Sequence, residues 1–250
     1  MEKPFAELKN ITHIYQELTS ETLAIDNLSL SIYDGEFIAI VGPSGCGKTT
    51  LLSILSGMIN PTSGSITISG KVSTECDVGY MLQHDHLLEW QTIRTNALLG
   101  LKIRHKFNES TAAFADELLN RYGLKEFKNS YPNQLSGGMR QKAALIRTLA
   151  LSPELLLLDE PFSALDYQTR LVVADEVSNI IRSEKKTAVL VTHDIAEAVS
   201  LADRVVVLTK RPSRIKSIHS IDINHKSSLE RRSDPKFNYY FDLLWNEIDN

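Results

Sequence analysis

The sequence predicts an α/β fold: a parallel sheet organised around one glycine-rich loop, with a partly antiparallel β region beside it and a helical lobe inserted after it. Three observations carry this expectation. The stretch Gly42-Pro43-Ser44-Gly45-Cys46-Gly47-Lys48-Thr49 is preceded by an apolar run at 36–41 and followed by Leu51, Leu52, Ile54 and Leu55 at helical spacing. Further apolar runs at 155–158, 187–192 and 204–209 surround a helical stretch at about 170–183, and strands separated by helices imply parallel pairing. Residues 92–150 meanwhile change to a helical period.

The first strands show a period of two. Leu28, Leu30 and Ile32 alternate with Ser29 and Ser31, and Ile66 and Ile68 with Ser65, Thr67 and Ser69; turns are expected at 34–35 and 61–64. Tyr15, in the stretch 11–16, has two open readings: a sheet tyrosine packed on a neighbour, or an aromatic that stacks on an adenine ring.

The glycine loop fits G-x-x-x-x-G-K-[ST], the cradle of nucleotide phosphates. Glycines let successive N–H groups turn inward around an anion, and the following helix points its positive end at the same place. Residues 42–50 (Gly42, Pro43, Ser44, Gly45, Cys46, Gly47, Lys48, Thr49 and Thr50) form the expected nucleotide-binding stretch. Lys48 would bridge the β and γ phosphates, and the Thr49 hydroxyl suits Mg²⁺. Because Cys46 lies in this loop, thiol alkylation is expected to block the site.

A strand at 78–83 delivers Gln83, whose amide can contact a metal-bound water or a terminal phosphate. The segment after it presents an apolar patch, and His84 and His86 are read as surface residues. Within the helical stretch Ser110 is the expected N-cap, Phe114, Leu118 and Tyr122 form a core stripe, and Gly123 ends the helix. Leu135-Ser136-Gly137-Gly138-Met139 opens a helix with Met139, Ala143, Ile146 and Ala150 on one face. Ser136 caps it, and Gly137 and Gly138 leave its first N–H groups open to an anion, so an ordinary capped helix and a second phosphate site both remain possible.

The run at 155–158 ends in Asp159 and Glu160. Ligands of parallel sheets bind at the carboxyl ends of strands, which places Asp159 on Mg²⁺ and Glu160 on the attacking water. His193, at the end of the next strand, is a candidate γ-phosphate contact, whereas the turn at 163–166 discloses no role. The tail holds a basic, turn-rich stretch at 211–214, an exposed mixed-charge connector at 226–232, and a helix opened by Asp234-Pro235. That helix carries Phe237, Phe241, Leu244 and Ile248 on one face, expected to pack on the protein's own surface.

At 250 residues and 42% hydrophobic, the chain can bury a sizeable core in one domain or two joined lobes. A net charge of -4 offers nucleic acid no strong attraction, so no nucleic-acid partner is expected. Two cysteines, Cys46 and Cys76, make no disulfide framework and suit a reducing cytosol. Charges at Glu2, Lys3, Glu7, Lys9 and Glu17 argue against a secretory leader, and no stretch approaches the roughly 20 apolar residues of a membrane span. Work at a membrane would need a spanning partner.

Taken together in this order, the loop at 42–49, Gln83, Leu135–Met139, Asp159 with Glu160, the turn at 163–166 and His193 resemble an ABC-transporter ATP-binding subunit over about residues 5–220. The resemblance implies a P-loop NTPase fold with a RecA-like parallel sheet, an N-terminal antiparallel β subdomain, a helical subdomain inserted at about 88–150, and a C-terminal extension at 221–250. It implies ATP and Mg²⁺ as cofactors, with Tyr15 stacking on adenine; Thr49, Gln83 and Asp159 as metal contacts; and Glu160, His193 and Gln83 in catalysis. It also implies a head-to-tail homodimer in which Ser136, Gly137 and Gly138 of one copy complete the ATP site of the other, with Asp166 communicating across it.

Two transmembrane permease subunits would dock on the segment after Gln83, at the cytoplasmic face of the membrane. Met139 in place of the family's usual glutamine, the stretch at 131–134 before it and that at 210–215 are similar to the nitrate, sulfonate and taurine importer branch. That branch implies an extracytoplasmic solute-binding protein. A soluble ABC ATPase without a transport role and a phosphate-loop kinase are the alternatives.

Overall fold

Residues 3–16, 20–72, 76–224 and 227–249 are described in the computed structural model. The chain divides into two compact units, Met1–Cys76 with Lys185–Asn250, and Asp77–Glu184. The first is discontinuous in sequence and holds the glycine loop. The second takes in the helical stretch together with two strands and the helix that follows them.

In the first unit, β1 (Ala6–Gln16) pairs antiparallel with β2 (Glu21–Ile32), with Leu8 opposite Leu30 and Ala6 opposite Ile32. The other edge of β1 carries β4 (Ser63–Ile68), against which the chain turns back to pair β5 (Lys71–Val72) antiparallel. Leu28, Leu30 and Ile32 are buried, as are Ile66 and Ile68, while Ser29, Ser31 and Thr67 alternate between them; a half-buried sheet produces this pattern. The turn expected at 61–64 is shorter than its composition suggests, because Ser63 already pairs with Thr12.

The buried strand β3 (Phe37–Val41) lies between β8 (Thr187–Val191) and β9 (Arg204–Leu208), parallel to both. All three read as continuous apolar runs because both of their faces are covered. β10 (Ile215–Ser220), just after the basic stretch at 211–214, adds an antiparallel edge to β9 that the sequence reading did not include. Its alternation is weak, since its outward positions are Lys216, Ile218 and Ser220.

Helix α1 (Lys48–Leu55) follows the glycine loop and α6 (Ile195–Leu201) follows β8. Lys226, the first residue of the expected connector, lies outside the described residues. The rest of that connector is largely the short helix α7 (Ser228–Arg232), and Arg231 in it is buried, donating from Nη2 to Ala202 O at 2.7 Å. Helix α8 (Pro235–Asp249) packs against α6 and β9 with Phe237 and Leu244 buried, so the tail helix does cover its own protein.

In the second unit β6 (Val78–Met81) runs parallel to β7 (Leu155–Asp159). The helical stretch contains α2 (Ile93–Ile103), α3 (Glu109–Arg121) and α4 (Gly137–Leu149), and α5 (Tyr167–Ser183) follows β7. Leu98 and Leu101 of α2, Ala112 and Ala115 of α3, and Ala150 form one apolar cluster. Asn108, not Ser110, caps α3: its side chain accepts from Thr111 N while Thr111 Oγ1 accepts from Asn108 N, a reciprocal pair that Ser110 could not make from inside the first turn. The buried face of α3 is consequently Ala112, Ala115, Leu118 and Leu119, with Phe114 and Tyr122 half-buried at its margin.

Candidate functional site

The glycine loop springs from the carboxyl end of β3 and ends at Gly47, the residue before α1. Gly47 has φ of 114°, which strains any residue with a side chain, and a Cβ there would also crowd Ala24 O at 3.3 Å. Lys48 is 7% exposed, and its Nζ donates to Gly42 O at 2.9 Å and Pro43 O at 3.1 Å. Ser44, Gly45 and Thr49 are exposed; Pro43 and Thr50 are half-buried.

Cys46 lies beneath the surface of the loop. It is 1% exposed, and the loop folds so tightly that a Cβ on Gly42 would lie 3.1 Å from the Cys46 Sγ. Burial pushes its thiol above the usual range, with Lys48 acting in the opposite direction. Alkylation of Cys46 is therefore expected to be slow, because the reactive thiolate is both disfavoured and covered; whether it blocks the site is a separate matter of function.

Tyr15 lies near the end of β1, 39% exposed, with its hydroxyl sharing a hydrogen bond of 3.1 Å with Thr50 Oγ1 in the first turn of α1. This bond ties the aromatic to the helix that completes the loop. His193 stands in the same unit: the parallel register aligns Ile40 with Val191, and Thr192 N donates to Ile40 O at 3.3 Å, so β8 delivers His193 to the end of the sheet from which the loop emerges. Beneath the exposed His193, Thr192 Oγ1 donates to Glu197 Oε2 at 2.7 Å, and Asp194 caps α6 through the N–H groups of Ala196 and Glu197. Neither the cap nor the buried Thr192–Glu197 bond was visible in the composition.

The second unit gathers Gln83, Asp159 and Glu160. Asp159 closes β7 at 8% exposure and accepts from the Tyr80 hydroxyl at 3.1 Å. The chain then turns sharply at Glu160, whose φ of 45° is unusual for a residue with a side chain. Ser163 fixes that turn by donating from its N and its Oγ to Glu160 O, at 3.2 and 2.9 Å. Gln83 Nε2 in turn donates to Ser163 Oγ at 3.2 Å, which links the end of β6 to the loop after β7. Asp166, whose turn carried no legible meaning, caps α5 by accepting from Thr169 N at 3.1 Å; hydrogen bonds from Thr169 hold its carboxyl below the usual range.

Ser136 caps α4 by accepting from Met139 N at 3.3 Å. Gly138 is pressed onto α5, where a Cβ would lie 2.6 Å from Val173 Cγ2, and Gly137 and Gly138 open the positive end of the helix. Arg140 joins this end to the segment after Gln83, donating from Nε to Asp85 Oδ2 and from Nη1 to Leu135 O, both at 3.0 Å. Two turns further along α4, Arg147 donates to the carbonyls of Asp85 and His86 at 2.8 and 2.7 Å. Of the apolar patch expected on that segment, Leu87 is buried and Trp90 exposed.

His84 and His86 are exposed, as expected. Among the described residues no group of three or more His, Cys, Asp or Glu is placed to hold a metal by itself. The Gln83 amide and the Asp159 carboxylate in the second unit are oxygen donors of the kind Mg²⁺ takes, as is the Thr49 hydroxyl in the first. No described helix is long and apolar enough to cross a membrane.

The ABC transporter family matches residues 25–163. An ABC transporter ATP-binding protein of Bacillus subtilis, YtlC, is 44% identical over 98% of this chain and 96% of its own length. The bicarbonate transport ATP-binding protein CmpD of Synechocystis is 36% identical over 98% of this chain and 90% of its own, and the nitrate import ATP-binding protein NrtC of Synechococcus elongatus is 38% identical over 96% of this chain and 37% of its own. Two solved dimeric structures of the ATP-binding cassette MJ0796, one with ADP and Pi bound, superpose with TM-scores of 0.73 and 0.72 at 31% and 29% identity, covering 86% of this chain and 98% of theirs. The fold is that of a P-loop NTPase, and the chain belongs to the ABC transporter family as an ATP-binding, ATP-hydrolysing subunit.

Proposed function

We propose that the chain energises an importer of a small solute of the nitrate, sulfonate or taurine kind, working as a homodimer at the cytoplasmic face of the membrane beneath two permease subunits, with an extracytoplasmic solute-binding protein delivering the solute. The observation that carries this reading is the alignment of nearly the whole chain with a bicarbonate transport and a nitrate import ATP-binding protein. The solved MJ0796 dimers support pairing of two copies.

In this reading Lys48 and the loop N–H groups grip the phosphates of ATP, Tyr15 supports the adenine, and Ser136 to Gly138 of the second copy close on the γ phosphate. Thr49, Asp159 and Gln83 would hold Mg²⁺, which neutralises charge on the phosphate oxygens. Glu160 orients the attacking water and His193 contacts the γ phosphate. Each closure is biased by contacts that vanish on hydrolysis, so ATP turnover becomes motion of the permease. The N-terminal β subdomain, the helical insertion at 88–150 and the extension at 221–250 stand as the working division of the chain.

The test begins with tagged chain recovered from membranes of its own cell. Co-purified permease subunits, reconstituted with it in vesicles, should take up labelled nitrate, taurine or an alkyl sulfonate when ATP is supplied, and Glu160→Gln should bind ATP yet abolish uptake. Recovery without any membrane protein, or with ribosomes, would favour the soluble-ATPase reading.

A further inference from the structure

Beside Tyr15 lies a polar group that none of the roles above employs. His13 is 7% exposed, and both its ring nitrogens are buried without a hydrogen-bond partner. Two unmade hydrogen bonds in a buried imidazole are costly, and native proteins retain such groups where something else is gained. The ring stands perpendicular to that of Tyr15, at 88° with 4.6 Å between centroids. An edge-to-face contact of this kind fixes the tilt of one ring by the other.

The backbone is also arranged around His13. The pairing of β1 with β2 slips between Ile11 and His13, and again between His13 and Ile14. Such irregularities re-aim side chains and are enriched beside active sites. Tyr15 is thereby held at two points: its hydroxyl by Thr50 in α1, two residues beyond Lys48, and its flank by the His13 imidazole. Tyr15 nonetheless stays 39% exposed.

We propose that His13 is a positioning residue for the nucleotide base, holding the Tyr15 ring at the angle at which a purine stacks on it while the phosphates occupy the loop. The proposal rests on the reading of Tyr15 as the adenine platform. It assigns the unpartnered imidazole a gain in nucleotide affinity, not in fold stability.

Calorimetric titration of the full chain with Mg-ATP, and separately with Mg-tripolyphosphate, tests it, because the second ligand engages the loop but has no base. His13→Ala should weaken ATP about three- to tenfold, the range of an aromatic contact, and leave tripolyphosphate unchanged. His13→Phe, which keeps a ring against Tyr15, should restore ATP affinity. Tyr15→Ala should weaken ATP at least as much, and adding His13→Ala to it should cost nothing more. Unchanged ATP affinity in His13→Ala, or a parallel loss for tripolyphosphate, would overturn the role of His13. Unchanged ATP affinity in Tyr15→Ala would instead overturn the platform reading and the proposal with it.

Discussion

The Lys48 ammonium is held by two backbone carbonyls of its own loop, those of Gly42 and Pro43, so its charge is preorganised over the loop by fixed dipoles. The same folding seals Cys46 beneath Gly42. We expect iodoacetamide at neutral pH to modify Cys46 at least about tenfold more slowly than the half-buried Cys76 in the folded chain, since the thiolate is the nucleophile and burial disfavours it. Peptide mapping by mass spectrometry reads both rates; equal rates would mean that the loop opens freely. At this scale the chemistry-bearing residues were legible wherever a flanking period announced them: Lys48 after an apolar run and a glycine motif, Asp159 and Glu160 after four leucines. Cys46 and His13 were not, because burial at a single position is decided by what the fold brings against it.

The helices show what a run of residues can and cannot announce about itself. Those at α4 and α8 were legible from their caps and stripes, as Ser136 and the Asp234-Pro235 pair mark their starts. The start of α3 was misplaced by two residues, since Asn108 and Ser110 both favour caps and only Thr111 discriminates between them. β10, α6 and α7 left weaker traces: an edge strand with half its positions exposed, and two helices of seven and five residues. The join of α2 to α3 is electrostatic as well as apolar. Arg94 donates to both carboxylate oxygens of Asp116, Lys128 approaches at 3.1 Å, and these partners hold the Asp116 carboxyl below its usual range.

A depressed carboxylate pKa contributes stability that is present above the unfolded value, near 4, and lost as pH falls through the folded one. Asp116→Asn should therefore lower stability at pH 7 by about 0.5–1 kcal/mol, a small figure because the pair is part-exposed. Thermal melts of both proteins should converge progressively below about pH 4. A difference that persists undiminished at pH 2 would assign the effect to packing.

For the molecule as a whole, the parallel strands and the inserted helical stretch were foreseen because buried strands and helices differ in period and length. The division at Asp77 and Lys185 was not, because it depends on which strands pair and not on what each strand contains. β3 carries the phosphate loop, yet its partners are β8 and β9, which begin only at Thr187 and Arg204. A chain ending at Glu184 contains the complete glycine loop but neither partner. It should show no measurable ATP binding by the calorimetric titration used for the full chain; wild-type affinity in that truncation would show that β3 and its loop form without them.

The same long-range pairing sets an order of events while the protein is being made. At a synthesis rate of roughly 5–20 residues per second, the loop leaves the ribosome on the order of ten seconds before β8 and β9 exist to order it. A nascent chain thus carries a nucleotide motif it cannot use. Competence to hold ATP arrives only once β8 and β9 have been made and have paired with β3.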